Sequence, residues 1–272
     1  MKREEIKVCV LRVGGTNCDA ETKRAFEELG TQAEILHLNE LVKRRNLLDY
    51  HVLVFPGGFA YGDYVRAGVI WAKWMLAKVS KELKAFVDEN RPILGICNGF
   101  QVLVEAGLLP GFDGMSLYPK AALATNFPPG YSCRWIYLIH ENDGKCMFTW
   151  KIPKGKVLRM PVAHSEGRFM FAKEKEKQFL ERLYENDMLI FRYCNRNGEY
   201  ADGCFPANPN GSFHDISGIC NPEGTIFGLM PHPERAFYWW QQPDWTKQMQ
   251  MPEYGDGKLI FESLIEHLTK KF

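Results

Sequence analysis

The chain has 272 residues, enough to bury a large core, and its 34 Lys and Arg against 33 Asp and Glu leave a formal charge of +1. That balance gives no electrostatic footprint for nucleic acid or an anionic membrane surface. The start lacks a signal-peptide pattern, and the most apolar helical stretch, GVIWAKWMLAKV, is broken by Lys73 and Lys78, so a soluble, cytoplasmic protein without membrane contact is expected. Eight cysteines in such a compartment stay reduced, and none has C-x-x-C or zinc-finger spacing, so no metal site is expected either.

In chain order, KVCVLRV (7–13) predicts a strand of branched residues, followed by a Gly14-Gly15 turn and a helix from about Asp19 to Leu29. AEILHL (33–38) and HVLVFP (51–56) predict further buried strands, and Lys43-Arg44-Arg45 reads as a solvated helix face. A long helix, about 68–89, leads through Pro92 to the short strand PILGI. Strands alternating with helices predict a parallel sheet covered on both faces.

After Gly111 the rhythm changes. CRWIYLI (133–139) and KVLRMPVAH (156–164) read as hairpins added to that sheet. A charged helix follows at 172–186, then strands in LIFRYC, DISGIC and GTIFGLMP, and a closing helix in GKLIFESLIEHLTKK. No linker divides the chain, so one domain over 1–272 is expected, with a core of about 6–236 and an aromatic tail and C-terminal helix over 237–272.

Three loops that directly follow strands carry the candidate chemistry. In GICNGFQ, Cys97 has glycines two residues away on both sides, the form of a sharp strand-to-helix elbow that exposes a nucleophile to a helix amino end. In MPHPER, His232 and Glu234 lie two apart, on one side of an extended segment, as a base and its orienting carboxylate require. In PGGFAYGDYVRAG, the adjacent Gly57 and Gly58 leave backbone N–H groups unobstructed, as an oxyanion hole needs. No G-x-x-x-x-G-K-[ST] occurs, so ATP is not expected on a standard motif of this chain. Cys18, in GGTNCD, reads as a partly buried helix-start residue rather than a second nucleophile. These residues alone also suit another cysteine hydrolase, such as a peptidase or γ-glutamyl hydrolase, or a silent regulatory subunit.

The loops in this order, together with PVAHSEGRF and PNGSFHDISGICNPEG, resemble the class I (triad) glutamine amidotransferases, and among them the glutaminase subunits of phosphoribosylformylglycinamidine synthase. The resemblance implies a flavodoxin-like three-layer α/β fold, with a mainly parallel sheet and added antiparallel hairpins. It implies hydrolysis of glutamine to glutamate and ammonia, with Cys97 as nucleophile, His232 as acid and base, and Glu234 orienting it. It further implies an oxyanion hole from the backbone N–H groups of Gly58 and Asn98, and substrate contacts from Gly57, Gln101, His164 and Ser165. ATP and Mg would belong to a separate synthetase subunit acting on formylglycinamide ribonucleotide, with a small third subunit completing the complex. The isolated chain is then expected to be a poor glutaminase. The tail AFYWWQQPDWTKQMQMPEY is longer than the resemblance leads one to expect, and is read as a cover for the domain's own apolar surface.

Overall fold

The computed structural model describes residues 1–44, 46–247 and 252–271. Arg45, part of the expected basic helix face, and 248–251 of the tail lie outside the described residues. The elements run β1 (Lys7–Arg12), α1 (Asp19–Glu27), β2 (Gln32–His37), α2 (Leu38–Arg44), β3 (Val52–Phe55), α3 (Val69–Asp88), β4 (Ile93–Ile96) and α4 (Asn98–Glu105). Then come β5 (Ala121–Ala124), β6 (Ser132–His140), β7 (Val157–His164), β8 (Arg168–Phe171), α5 (Glu176–Glu185), β9 (Leu189–Cys194), β10 (Ile216–Cys220), β11 (Ile226–Leu229) and α6 (Lys258–Lys271).

Nine strands form one sheet in the order β2-β1-β3-β4-β11-β10-β9-β6-β7. From β2 to β11 the neighbours pair in parallel, and from β11 to β7 every pair is antiparallel. The parallel strands β3, β4 and β11 are buried at every position. This is the signature of a sheet covered on both faces, and explains why their sequences are unbroken apolar runs. In β7, buried and half-buried residues alternate, so only one face of the antiparallel extension meets the core.

The hairpin β6–β7 joins the main sheet as expected. The short strands β5 and β8 instead pair with each other in a separate two-stranded sheet. β8 carries Phe169 and Phe171 inward, and Phe169 stacks on Phe100 of α4 at 6.2 Å. This small sheet therefore presses the helix that follows Cys97.

The aromatic tail covers the fold in part. Phe237 is buried and meets Phe261 of α6, Tyr238 and Tyr254 at 5.9, 4.9 and 5.8 Å between ring centroids. Trp240, by contrast, is 55% exposed. The Gly255 and Gly257 N–H groups donate to the Phe237 and Ala236 carbonyls, bringing α6 back against the turn that holds His232. Phe237→Ala is expected to cost about 3–5 kcal/mol of stability, and Trp240→Ala within about 0.5 kcal/mol, in urea unfolding. Equal effects would mean that the tail does not pack as described.

Candidate active site

Four of the parallel strands, β1, β3, β4 and β11, release their loops at one carboxyl edge, where open α/β sheets place ligands. There a cavity of about 330 Å³ is lined by Cys97, His232, Gly58, Gln101, His164 and Ser165, together with Asn17, Cys18, Phe59, Asp63, Tyr131, Ala163, Glu166 and Arg235. A larger cavity of about 740 Å³ lies at the amino ends of these strands, beside His51, Pro92 and Thr225, and holds no cysteine.

Cys97 is the cap residue of α4, with φ 51° and ψ −105°, a left-handed backbone that a side chain seldom adopts. Such strain costs about 1–3 kcal/mol and persists only where surrounding structure imposes it. Its N–H donates to the Leu229 carbonyl of β11 at 2.8 Å, and α4 leaves directly behind it. A Cβ on Gly95 would lie 2.6 Å from Leu103 Cδ1, and one on Gly99 would run into the Phe55 carbonyl. Both glycines of the elbow are thus required by space.

His232 is the third residue after β11 and is anchored through its N–H to the Pro161 carbonyl of β7 at 2.9 Å. Its Nδ1 lies 2.6 Å from Glu234 Oε1, both residues being buried, while Nε2 has no hydrogen-bond partner among the described residues. Burial alone would lower the pKa of this imidazole. The Glu234 carboxylate, with the Cys97 and Cys18 thiols, outweighs it and holds His232 well above the ordinary histidine value.

Gly57 is not on the cavity wall. A Cβ there would stand 2.7 Å from His232 Cε1 and 3.2 Å from Cys18 Sγ, so its missing side chain makes room for the imidazole. Gly58 follows at φ 154°, where a Cβ would meet the Asn17 backbone nitrogen at 2.8 Å. Asn98 opens α4, and its amide has no helical carbonyl behind it. Its side chain bonds Gln101 Oε1 at 2.8 Å, and Gln101 Nε2 donates to the Glu166 carbonyl at 2.5 Å, so this buried pair ties the elbow helix to the loop after β7.

His164 is buried with its Nδ1 3.2 Å from Asn126 Oδ1, and its ring occupies the place that a Gly167 side chain would take. Asn210 Nδ2 donates to the Gly167 carbonyl at 2.9 Å, so the PNGS segment supports this loop from behind. Burial, with the charge of His232 acting in the same direction, pulls His164 down to about 3. A histidine whose folded pKa lies below its unfolded value of about 6.5 contributes stability that is complete above pH 6.5 and lost as pH falls towards 3. Urea unfolding is therefore expected to show a His164 contribution with a slope of up to about 1.4 kcal/mol per pH unit in that window, absent in His164→Gln.

The chain matches the CobB/CobQ-like glutamine amidotransferase domain over residues 5–268. It is 47% identical to the phosphoribosylformylglycinamidine synthase subunit PurQ of Archaeoglobus fulgidus, over 99% of this chain and all of that one. The chain belongs to the PurQ family of glutamine amidotransferase subunits. A second PurQ, from Methanothrix thermoacetophila, is 40% identical over 98% of this chain and 99% of its own. The solved structure of PurLQS from Thermotoga maritima contains a chain that superposes with a TM-score of 0.72 at 32% identity, covering 97% of this chain and 99% of that one.

Within this PurQ-type fold, sequence reasoning set Cys18 aside and missed Asp63, Tyr131, Glu166 and Arg235 on the cavity wall. Cys18 caps α1 as expected, but is fully buried, and its Sγ accepts from Arg235 Nη2 at 3.1 Å. Burial pushes its thiol up to about 11, despite the proximity of His232 and Arg235. The signal was present: GGTNCD directly follows β1, as the other three loops follow their strands. Asp63 stands in a turn with Tyr61 and Val65, all at positive φ, and burial and the Glu166 charge raise its carboxyl to about 6. Among the described residues, no helix is long and apolar enough to cross a membrane.

Proposed function

We propose that this chain is the glutaminase subunit of a phosphoribosylformylglycinamidine synthase, hydrolysing glutamine to glutamate and ammonia for a synthetase partner in purine biosynthesis. The observation that carries the chemistry is the buried His232–Glu234 pair, with Nε2 unsatisfied, in the same cavity as a cysteine on a strained elbow. The PurQ relatives and the PurLQS neighbour supply the substrate and the partners.

In this reading Sγ of Cys97 attacks the carboxamide carbon of glutamine. The backbone N–H groups of Gly58 and Asn98 receive the developing oxyanion, as preorganised donors do at a cost-free moment of reaction. The His232 imidazolium gives its proton to the leaving nitrogen, ammonia departs, and a γ-glutamyl thioester remains. Water then attacks the thioester carbon, His232 takes its proton, and glutamate leaves as Sγ is regenerated. Glu234 keeps the imidazole in one orientation throughout. Gln101, His164 and Ser165 border the carboxamide, and Gly57 acts through the space it leaves for His232.

ATP and Mg belong to the synthetase partner, a small third subunit completes the assembly, and the whole chain of 1–272 works as one domain in the cytoplasm. The test is intact-mass labelling with 6-diazo-5-oxo-norleucine and peptide mapping, with and without excess glutamine. One adduct per chain at Cys97, suppressed by glutamine, is expected. Labelling spread over other thiols and indifferent to glutamine, with the synthetase present, would sink the reading.

A further inference from the structure

Three buried side chains from two distant parts of the sequence, Cys18 and the His232–Glu234 pair, place a ligating atom each within 4.8 Å of one another. Neither His232 Nε2 nor Glu234 Oε2 has a hydrogen-bond partner among the described residues. A sulfur, an imidazole nitrogen and a carboxylate oxygen are the donor set of zinc-class ions, which need three protein ligands and leave a fourth position open. The wall of the cavity that contains Cys97 supplies that opening.

We propose that Cys18, His232 and Glu234 form an inhibitory site for a soft divalent cation of the zinc class. Coordination replaces the Cys18 S–H bond by an S–metal bond and one His232 N–H bond by an N–metal bond, and both protons leave to solvent. Ligand–ligand distances in a tetrahedral site of this kind are about 3.3–3.8 Å, from metal–ligand lengths of about 2.0–2.3 Å, so closure asks for side-chain shifts of about an ångström. Charge favours it. Arg235, which donates to Cys18 Sγ, is itself held by Glu21 at 2.6 Å. The cation and Arg235 are then matched by the Cys18 thiolate, Glu21 and Glu234, with His232 neutral. An imidazole engaged by a metal is no longer available to Cys97, so the cation switches the site off reversibly. Sequence spacing could not reveal this set, because β1 and β11 bring its members together only in the folded sheet.

The test uses the full chain with the exposed thiols removed by Cys133→Ser and Cys204→Ser, titrated with cadmium and read by its thiolate charge-transfer absorption. A saturable 1:1 band is expected, retained in Cys97→Ser and lost in Cys18→Ser. A band that survives Cys18→Ser, one that disappears in Cys97→Ser, or no saturable band at all overturns the proposal. Should Cys18→Ser not fold, His232→Ala serves: zinc affinity by calorimetry is expected to fall at least about tenfold, since loss of even an outer partner of a ligand costs about 10–100-fold. Unchanged affinity overturns the proposal. Because the readout is binding, the result does not depend on which reaction Cys97 performs.

Discussion

Cys97→Ala is expected to lower glutamine-dependent turnover of the assembled complex by at least about 10⁴-fold, while synthesis driven by added ammonia is retained. The magnitude follows from other enzymes in which loss of a covalent nucleophile leaves only binding and oxyanion stabilisation. The retention follows from the separation of the two chemistries, since the ammonia-consuming step is assigned to the partner. The variant fills the same place with a smaller side chain and gives up only the long contact from Sγ to the Ala163 carbonyl at 3.7 Å. The comparison of the two nitrogen sources in one preparation is decisive. Equal loss of both activities would point to a disturbed complex, and no loss of either would remove Cys97 from the chemistry.

Gly99→Ala is expected to damage the elbow severely with a single methyl group. The new Cβ would overlap the Phe55 carbonyl of β3, which is backbone in the middle of the sheet and cannot rotate away. Relief requires α4 to lift from β3 and β4, which would empty the contact between Phe100 and Phe169. A loss of about 3 kcal/mol or more is expected, enough to remove much of the folded population of a marginally stable domain. Gly14→Ala, where a Cβ meets nothing within 4 Å, is the matching control at a glycine near the same edge. If both variants melt alike, the elbow is not held by the close approach described.

What the sequence made legible depended on where burial is continuous. β1, β3, β4 and β11 announce themselves as branched, apolar runs because both of their faces are covered, and the loops after them could be ordered by sequence alone. The partnership of β5 with β8 could not be read. AALA and RFMF are short, 40-odd residues apart in sequence, and their pairing depends on Phe169 reaching α4 rather than on any local pattern. α2 was legible only at its basic end, where Lys43 and Arg44 read as a helix face, because LNELVKR has only one turn of apolar spacing and AEILHL runs the preceding strand on to Leu38. At the site, G-x-C-x-G and H-P-E were visible because their glycines and spacing are local requirements. Asp63 and Glu166 were not, because what places them on the cavity is the approach of the loops after β3 and β7, which bond each other through the Ala67 N–H and the Glu166 carboxylate. Gly57 was singled out for a backbone free to face substrate, whereas the space its missing side chain frees is taken by the imidazole.

The adjacency of β4 and β11 limits how this protein can change over evolutionary time. Cys97 extends one strand and His232 the other, and the rung between them is a backbone bond from the Cys97 N–H to the Leu229 carbonyl. Spacing between thiol and imidazole is therefore inherited with the ladder and cannot be adjusted by side-chain substitution without breaking strand pairing. New substrates can be admitted only by rewriting the loops around that fixed pair, chiefly the turn at 57–68 and the segment at 165–167, which are tied to each other by the bond from the Ala67 N–H to the Glu166 carboxylate. The reactive geometry is thus set by backbone pairing, and selectivity by the loops that surround it.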